Sequence, residues 1–154
     1  MNHYTELLIY LKGLFEKDPL VNVVGQGALD GSDIDKMTLF PLVNIEITGG
    51  SFTNGSSVNL GVTISAMTDR DINKEIDTDR FWSNDNEVDN MNEMLAVLNR
   101  AWTTAYRDFE GSDIIATENP TLTPQIYKGK SILDGWSIDF DLEMPNQELS
   151  LCQY

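Results

Sequence analysis

The sequence predicts an α+β fold: an antiparallel or mixed β-sheet with a long β-hairpin, packed on one face by two α-helices. Three patterns carry that expectation. Apolar residues recur at helical spacing in two separate stretches, they alternate at strand spacing in three others, and an Asn-Gly pair sits between two of the alternating runs. At 154 residues the chain fits one domain, and a chain of that size buries roughly 70% of its unfolded surface, so packing alone can hold its core.

The first helix is expected over residues 1–17, where Tyr4, Leu7, Leu8, Leu11, Leu14 and Phe15 follow three- and four-residue steps. Asp18-Pro19 ends it, because proline disfavours helical geometry in the residue before it. Val21 to Val24 reads as a brief strand stopped by Gly25-Gln26-Gly27, and residues 28–38 as a polar, acidic loop. The long hairpin is expected over residues 41–67. Val43, Ile45 and Ile47 alternate with polar residues, and after Asn54-Gly55 so do Val58, Leu60, Val62, Ile64 and Ala66. Gly49-Gly50 either ends the first of these strands or bends it.

Residues 69–83 are charged, with scattered apolar residues, and are long for a connection inside a compact domain. The second helix is expected over residues 84–109. Asn84 and Glu87 make a variant capping box, and Val88, Met91, Leu95, Leu98, Trp102 and Tyr106 form an apolar stripe. Acids at its start, and Arg100 and Arg107 near its end, suit the helix dipole. Closing strands follow over residues 121–145. Pro124 confines the first to an edge or a bulge. In the second, Trp136, Ile138, Phe140, Leu142 and Met144 alternate with Ser137, Asp139, Asp141 and Glu143, giving one apolar and one acidic face.

Charge is the compositional outlier. Ten Lys and Arg against 25 Asp and Glu give a formal net charge of −15. Such a surface repels nucleic-acid phosphates and argues against specific nucleic-acid binding, and it also keeps a protein soluble. The single cysteine, Cys152, has no partner for a disulfide or a zinc site. The single histidine, His3, is poorly placed to act as a catalytic base. The N-terminal stretch lacks the basic region and unbroken apolar run of a signal peptide, and no apolar run approaches membrane-spanning length.

Two acidic loops, Asp30-Ser32-Asp33-Asp35 and Asp77-Asp79-Asp85-Asp89, are candidate calcium ligands by residue type. Neither has the register of an EF-hand loop. Asp139, Asp141 and Glu143 share a strand face as paired carboxylates would, yet with no other catalytic group nearby they read as a solvated sheet face. The expectation is a non-enzymatic protein without cofactor or metal. Phe52, Phe81 and Trp82 lie in or beside loops, where large aromatics serve either as satellite core or as anchors for a partner.

This order of elements resembles the tail-terminator or tail-completion proteins of tailed bacteriophages, also called neck or head–tail joining proteins. The matching stretches are the Leu7-Leu8-Leu11 helix, the hairpin FPLVNIEITGGSFTNGSSVNLGVTISAMT, the helix NEVDNMNEMLAVLNRAW and the final strand GWSIDFDLEM. Pro41 just before the first long strand and Trp136 in the last are familiar features of that family. The resemblance implies a virion protein, made in the host bacterial cytoplasm, that forms a homo-oligomeric ring, often a hexamer. Such a ring sits between the head connector and the tail proteins, caps the tail, and lets DNA pass without binding it; no membrane is involved. On this reading the candidate interface or lumen residues are Asp69, Arg70, Asp71, Glu75, Asp77, Asp79, Phe81 and Trp82 of the charged loop, and Asp139, Asp141 and Glu143 of the acidic face. The alternative is an acidic cytosolic adaptor or inhibitor that binds a basic partner.

Overall fold

A computed structural model describes residues 3–28, 39–71, 81, 85–129 and 131–145. Helix α1 (His3–Glu16) leads into the short strand β1 (Val23–Gln26). The hairpin is β2 (Leu42–Thr53) and β3 (Ser57–Asp69), and helix α2 (Asp85–Glu110) follows. Three strands close the chain: β4 (Ile115–Ala116), β5 (Thr121–Lys128) and β6 (Ile132–Pro145). They form one six-stranded sheet in the order β1-β2-β3-β6-β4, with β5 also pairing with β6. The α+β class and the mixed sheet are therefore as predicted: β1 runs parallel to β2, and every other pairing is antiparallel.

Alternation fixes which face is buried. Val43, Ile45, Val62, Ile64, Ile138, Phe140, Leu142 and Met144 face the helices. There they pack against Leu7, Leu11 and Phe15 of α1 and Met94, Val97, Leu98, Ala105 and Phe109 of α2. Both helices lie on that one face. The hairpin turns at Asn54-Gly55, where φ is +46° and +69°; asparagine and glycine are the residues that adopt this left-handed backbone at least cost. Of the two readings of Gly49-Gly50, the strand continues: the β2–β3 register shifts between Ile47 and Gly49, a bulge that bends β2 without ending it.

Four expectations need correction. The brief strand sits two residues later than predicted, through Gly25 and Gln26, because it is paired to β2 from Val23 opposite Leu42 to Gln26 opposite Ile45. The apolar stripe of α2 is rotated: Met94, Val97, Ala105 and Phe109 are buried, whereas Val88, Met91, Leu95, Trp102 and Tyr106 are only half-buried. Its apolar arc is wider than one stripe, and the sheet takes the middle of the arc. In α1, Tyr4 is 45% exposed, outside the core its spacing suggested. Finally, the opposite face of the sheet is not wholly polar. Leu42, Met67 and Leu133 form a second buried cluster there with Val23, Phe40 and Tyr127. The proposed Asn84 cap lies outside the described residues, and Arg100 pairs with Asp18 across the fold, Nε to Oδ2 at 2.9 Å, instead of serving the helix end.

Candidate functional site

Strand β6 carries the chemistry of both faces. On the face away from the helices, Asp139 lies opposite Thr63, Asp141 opposite Gly61 and Glu143 opposite Asn59 of β3. The Thr63 hydroxyl donates to Asp139, and the Ser57 hydroxyl donates to Glu143 Oε1 at 2.8 Å. Glu46 of β2, opposite Thr63, extends the acidic row across the sheet. Carboxylates two residues apart on a strand stand about 7 Å apart, and two unit charges at that distance repel by about 0.6 kcal/mol in water. A solvated sheet tolerates that cost, and hydroxyl donors position Asp139 and Glu143.

The beginning of the charged loop has a different role. Arg70 turns inward and clamps Asp134, a fully buried carboxylate, through Nε at 2.9 Å and Nη2 at 2.5 Å. Asn90 of α2 donates to the same carboxylate at 3.2 Å and to the Asp69 carbonyl at 3.1 Å. Glu87 approaches Arg70 at 3.3 Å, and Asn86 Oδ1 accepts the Asp71 backbone N–H at 2.6 Å. The hydrogen bond to Asp134 holds the guanidinium even more firmly protonated than usual, outweighing the opposing effect of burial. Arg70 thus ties the end of β3 to α2 and β6 and is not offered to a partner, while the Asp69 and Asp71 side chains lie at the surface.

Phe81 is 79% exposed. Glu75, Asp77, Asp79 and Trp82 lie outside the described residues, as do Asp30, Ser32, Asp33 and Asp35 of the other acidic loop. Among the described residues no cluster of three or more His, Cys, Asp or Glu is arranged to hold a metal ion. Sequence reasoning missed Asp134 and Asn90. The signal was present, since Asp134 shares the inward parity of Trp136 and Ile138, and an acid at an inward position requires a partner.

Two concave surfaces complete the picture. A groove of about 440 Å³ runs between α2 and the first half of β5, walled by Leu95, Trp102, Pro120, Leu122 and Ile138; among the described residues no charged side chain lines it. It exists because the α2 arc is wider than the sheet covers, leaving Leu95 and Trp102 on its flank. Beside it, β5 is paired on one side only among the described residues and is exposed along most of its length, with Leu122 at 45% and Ile126 at 46%. A second cleft, of about 390 Å³, lies between α1 and the end of α2 and joins apolar Leu7, Phe109 and Ile114 to the carboxylates of Glu6, Asp108 and Asp113. There the Tyr10 hydroxyl donates to Asp108 Oδ2 at 2.5 Å. Burial first, and the neighbouring Asp108 second, push the phenol far above its ordinary range.

None of the helices among the described residues is long and apolar enough to cross a membrane. No protein-family model and no curated protein matches the chain.

Proposed function

We propose that this chain is a structural subunit that assembles with copies of itself into a ring at the head–tail interface of a tailed bacteriophage. There it would cap the tail and present a negative passage for DNA. The observation that carries the reading is the separation of charge on the surface. One sheet face bears Glu46, Asp139, Asp141 and Glu143, of which Asp139 and Glu143 are held by hydroxyl groups, while among the described residues the α2–β5 groove and the adjoining edge strand bear no acid. A subunit with net charge −15 meets its own copies with least repulsion where carboxylates are absent. An acidic face turned toward a bore repels phosphates and lets a duplex slide.

Native mass spectrometry and light scattering of the full chain test the assembly, with a closed multimer expected. A monomer across the whole concentration range sinks it. An image of the ring then tests the lumen: a neutral or basic bore overturns the DNA-passage role.

The alternative, an acidic adaptor or inhibitor, has one specific observation in its favour, the acid-rimmed apolar cleft beside Tyr10, which suits a basic segment with an apolar anchor. That protein stays monomeric alone, and its affinity for a basic partner falls steeply with salt.

A further inference from the structure

The outer half of β2, the arm, lies beyond the part of the sheet that the helices cover, whereas β3 beside it stays paired to β6 as far as Ser57 opposite Pro145. From Thr48 to Phe52, every residue of β2 is exposed, and Phe52, next to the turn, is 77% exposed. An aromatic ring so far out of the core contributes little to the fold. The arm is also chemically unusual for this chain. Between Glu46 and Asp69, across the whole turn and both of its flanks, no residue is charged. Two partly apolar stretches that carry no charge of their own therefore stand out on a strongly acidic molecule: the outer half of β2 with its turn, on the far side of β3 from Asp141 and Glu143 of β6, and the α2–β5 groove.

These two surfaces cannot meet within one chain. Phe52 lies opposite Val58, which lies opposite Met144, whereas the groove is built at Ile138, opposite Leu122. Six residues along β6 amount to about 20 Å, and the three strand spacings from β2 to β5 add about 14 Å across the sheet. The arm points away from the groove of its own chain.

We propose that the arm tip, led by Phe52, docks in the α2–β5 groove of a second copy of this chain. The proposal rests on the ring reading and names the contact that would build the ring. The occupant follows from charge. A second copy carries the same net −15, so its acidic surfaces are repelled, and the uncharged arm is a part of it that can approach closely. The groove, at about 440 Å³, has room for an aromatic side chain between Trp102, Leu95 and Leu122. Because arm and groove are different patches, the contact is head-to-tail. Contacts of that kind repeat from copy to copy and close into a ring when the rotation permits.

Two exposed positions allow a test that leaves the fold alone. Phe52→Asp and Leu122→Asp each place a charge in the contact, and Ile9→Asp, at a 64% exposed position on α1, is the matched control. Each variant is prepared as the full chain, and its mass is followed against concentration beside the wild type, with thermal unfolding of each. The expected result is an unchanged unfolding temperature for all three, with the concentration for half-assembly raised roughly thirtyfold or more for Phe52→Asp and Leu122→Asp. Ile9→Asp should assemble as the wild type does.

In a Cys152→Ser background, chains carrying Phe52→Cys mixed with chains carrying Leu122→Cys should give a disulfide-linked dimer that neither gives alone. A wild-type multimer that Phe52→Asp leaves intact, or an equal loss in Ile9→Asp, overturns the arm contact while the ring stands. A wild type that is monomeric at every concentration overturns both.

Discussion

Asp134 is the residue on which the interior chemistry turns. A carboxylate with no exposure inside an apolar sheet face is held by a bidentate arginine and an asparagine, and all three come from different elements. Removing one partner strands the other as a buried charge. Asp134→Ala is expected to lower the unfolding free energy by roughly 3–5 kcal/mol in urea titrations, and Asp134→Leu combined with Arg70→Met to recover most of that loss. A single variant as stable as the wild type would refute the clamp. Asp18 behaves differently because its partner Arg100 is 49% exposed. Burial alone would raise the Asp18 carboxyl, but the Arg100 hydrogen bond, the Leu20 backbone N–H and the Arg100 charge together hold it below its ordinary value. A carboxyl lowered in the folded state contributes stability that is complete above its unfolded value of about 3.9 and fades as pH falls through the folded one. Asp18→Asn should therefore cost on the order of 0.5–1 kcal/mol at neutral pH, and the gap from the wild type should close in unfolding curves taken toward pH 3. At this scale the sequence was only partly legible. The Asp139-Asp141-Glu143 row could be read from alternation alone, but the Asp134–Arg70 pairing joins residues distant in sequence, and strand spacing says nothing about which loop residue folds inward.

Among the elements, the strands and helices were readable because each has a strong period, while their neighbours were not. The α2 stripe shows why. Its apolar residues cover a broad arc, so any of several stripes fits the spacing, and only the width of the sheet decides that Met94, Val97 and Phe109 go inside while Leu95 and Trp102 remain on the flank. Strand β4 could not be foreseen, since two residues carry no period at all. The pairing of β3 with β6 is the tightest junction in the sheet. At Gly135, opposite Met67, an added Cβ would lie 1.9 Å from the Ala66 carbonyl oxygen. Backbone cannot yield as a flexible side chain does, so Gly135→Ala is expected to cost roughly 1–3 kcal/mol or more, measured as a fall in urea midpoint. An alanine variant of wild-type stability would mean that the two strands are further apart than described.

At the scale of the whole molecule, charge was legible from composition but its arrangement was not. Where the acids gather depends on which strand faces share a side of the sheet, and the uncharged groove arises only when α2 settles on β6. The arrangement separates the two functional readings by the sign of a salt effect. Copies of net charge −15 that meet through uncharged surfaces repel one another at long range, and the screening length shrinks from about 30 Å at 0.01 M salt to about 8 Å at 0.15 M. Self-assembly should therefore strengthen over that range, read as rising mass at fixed protein concentration, whereas weakening with salt would favour the adaptor. The position of β6 has a consequence of another kind, for the order of folding events. It occupies the interior of the sheet, paired with β3 on one side and with β4 and β5 on the other, yet it is the last of the described strands in the chain. During synthesis the β2–β3 hairpin must wait, one edge open and its apolar face only partly covered, until β6 emerges to complete the core. Long-range pairings of this sort form slowly, and exposed hairpin edges recruit other chains. The nascent protein is thus most vulnerable to misassembly in the interval between the synthesis of β3 and that of β6.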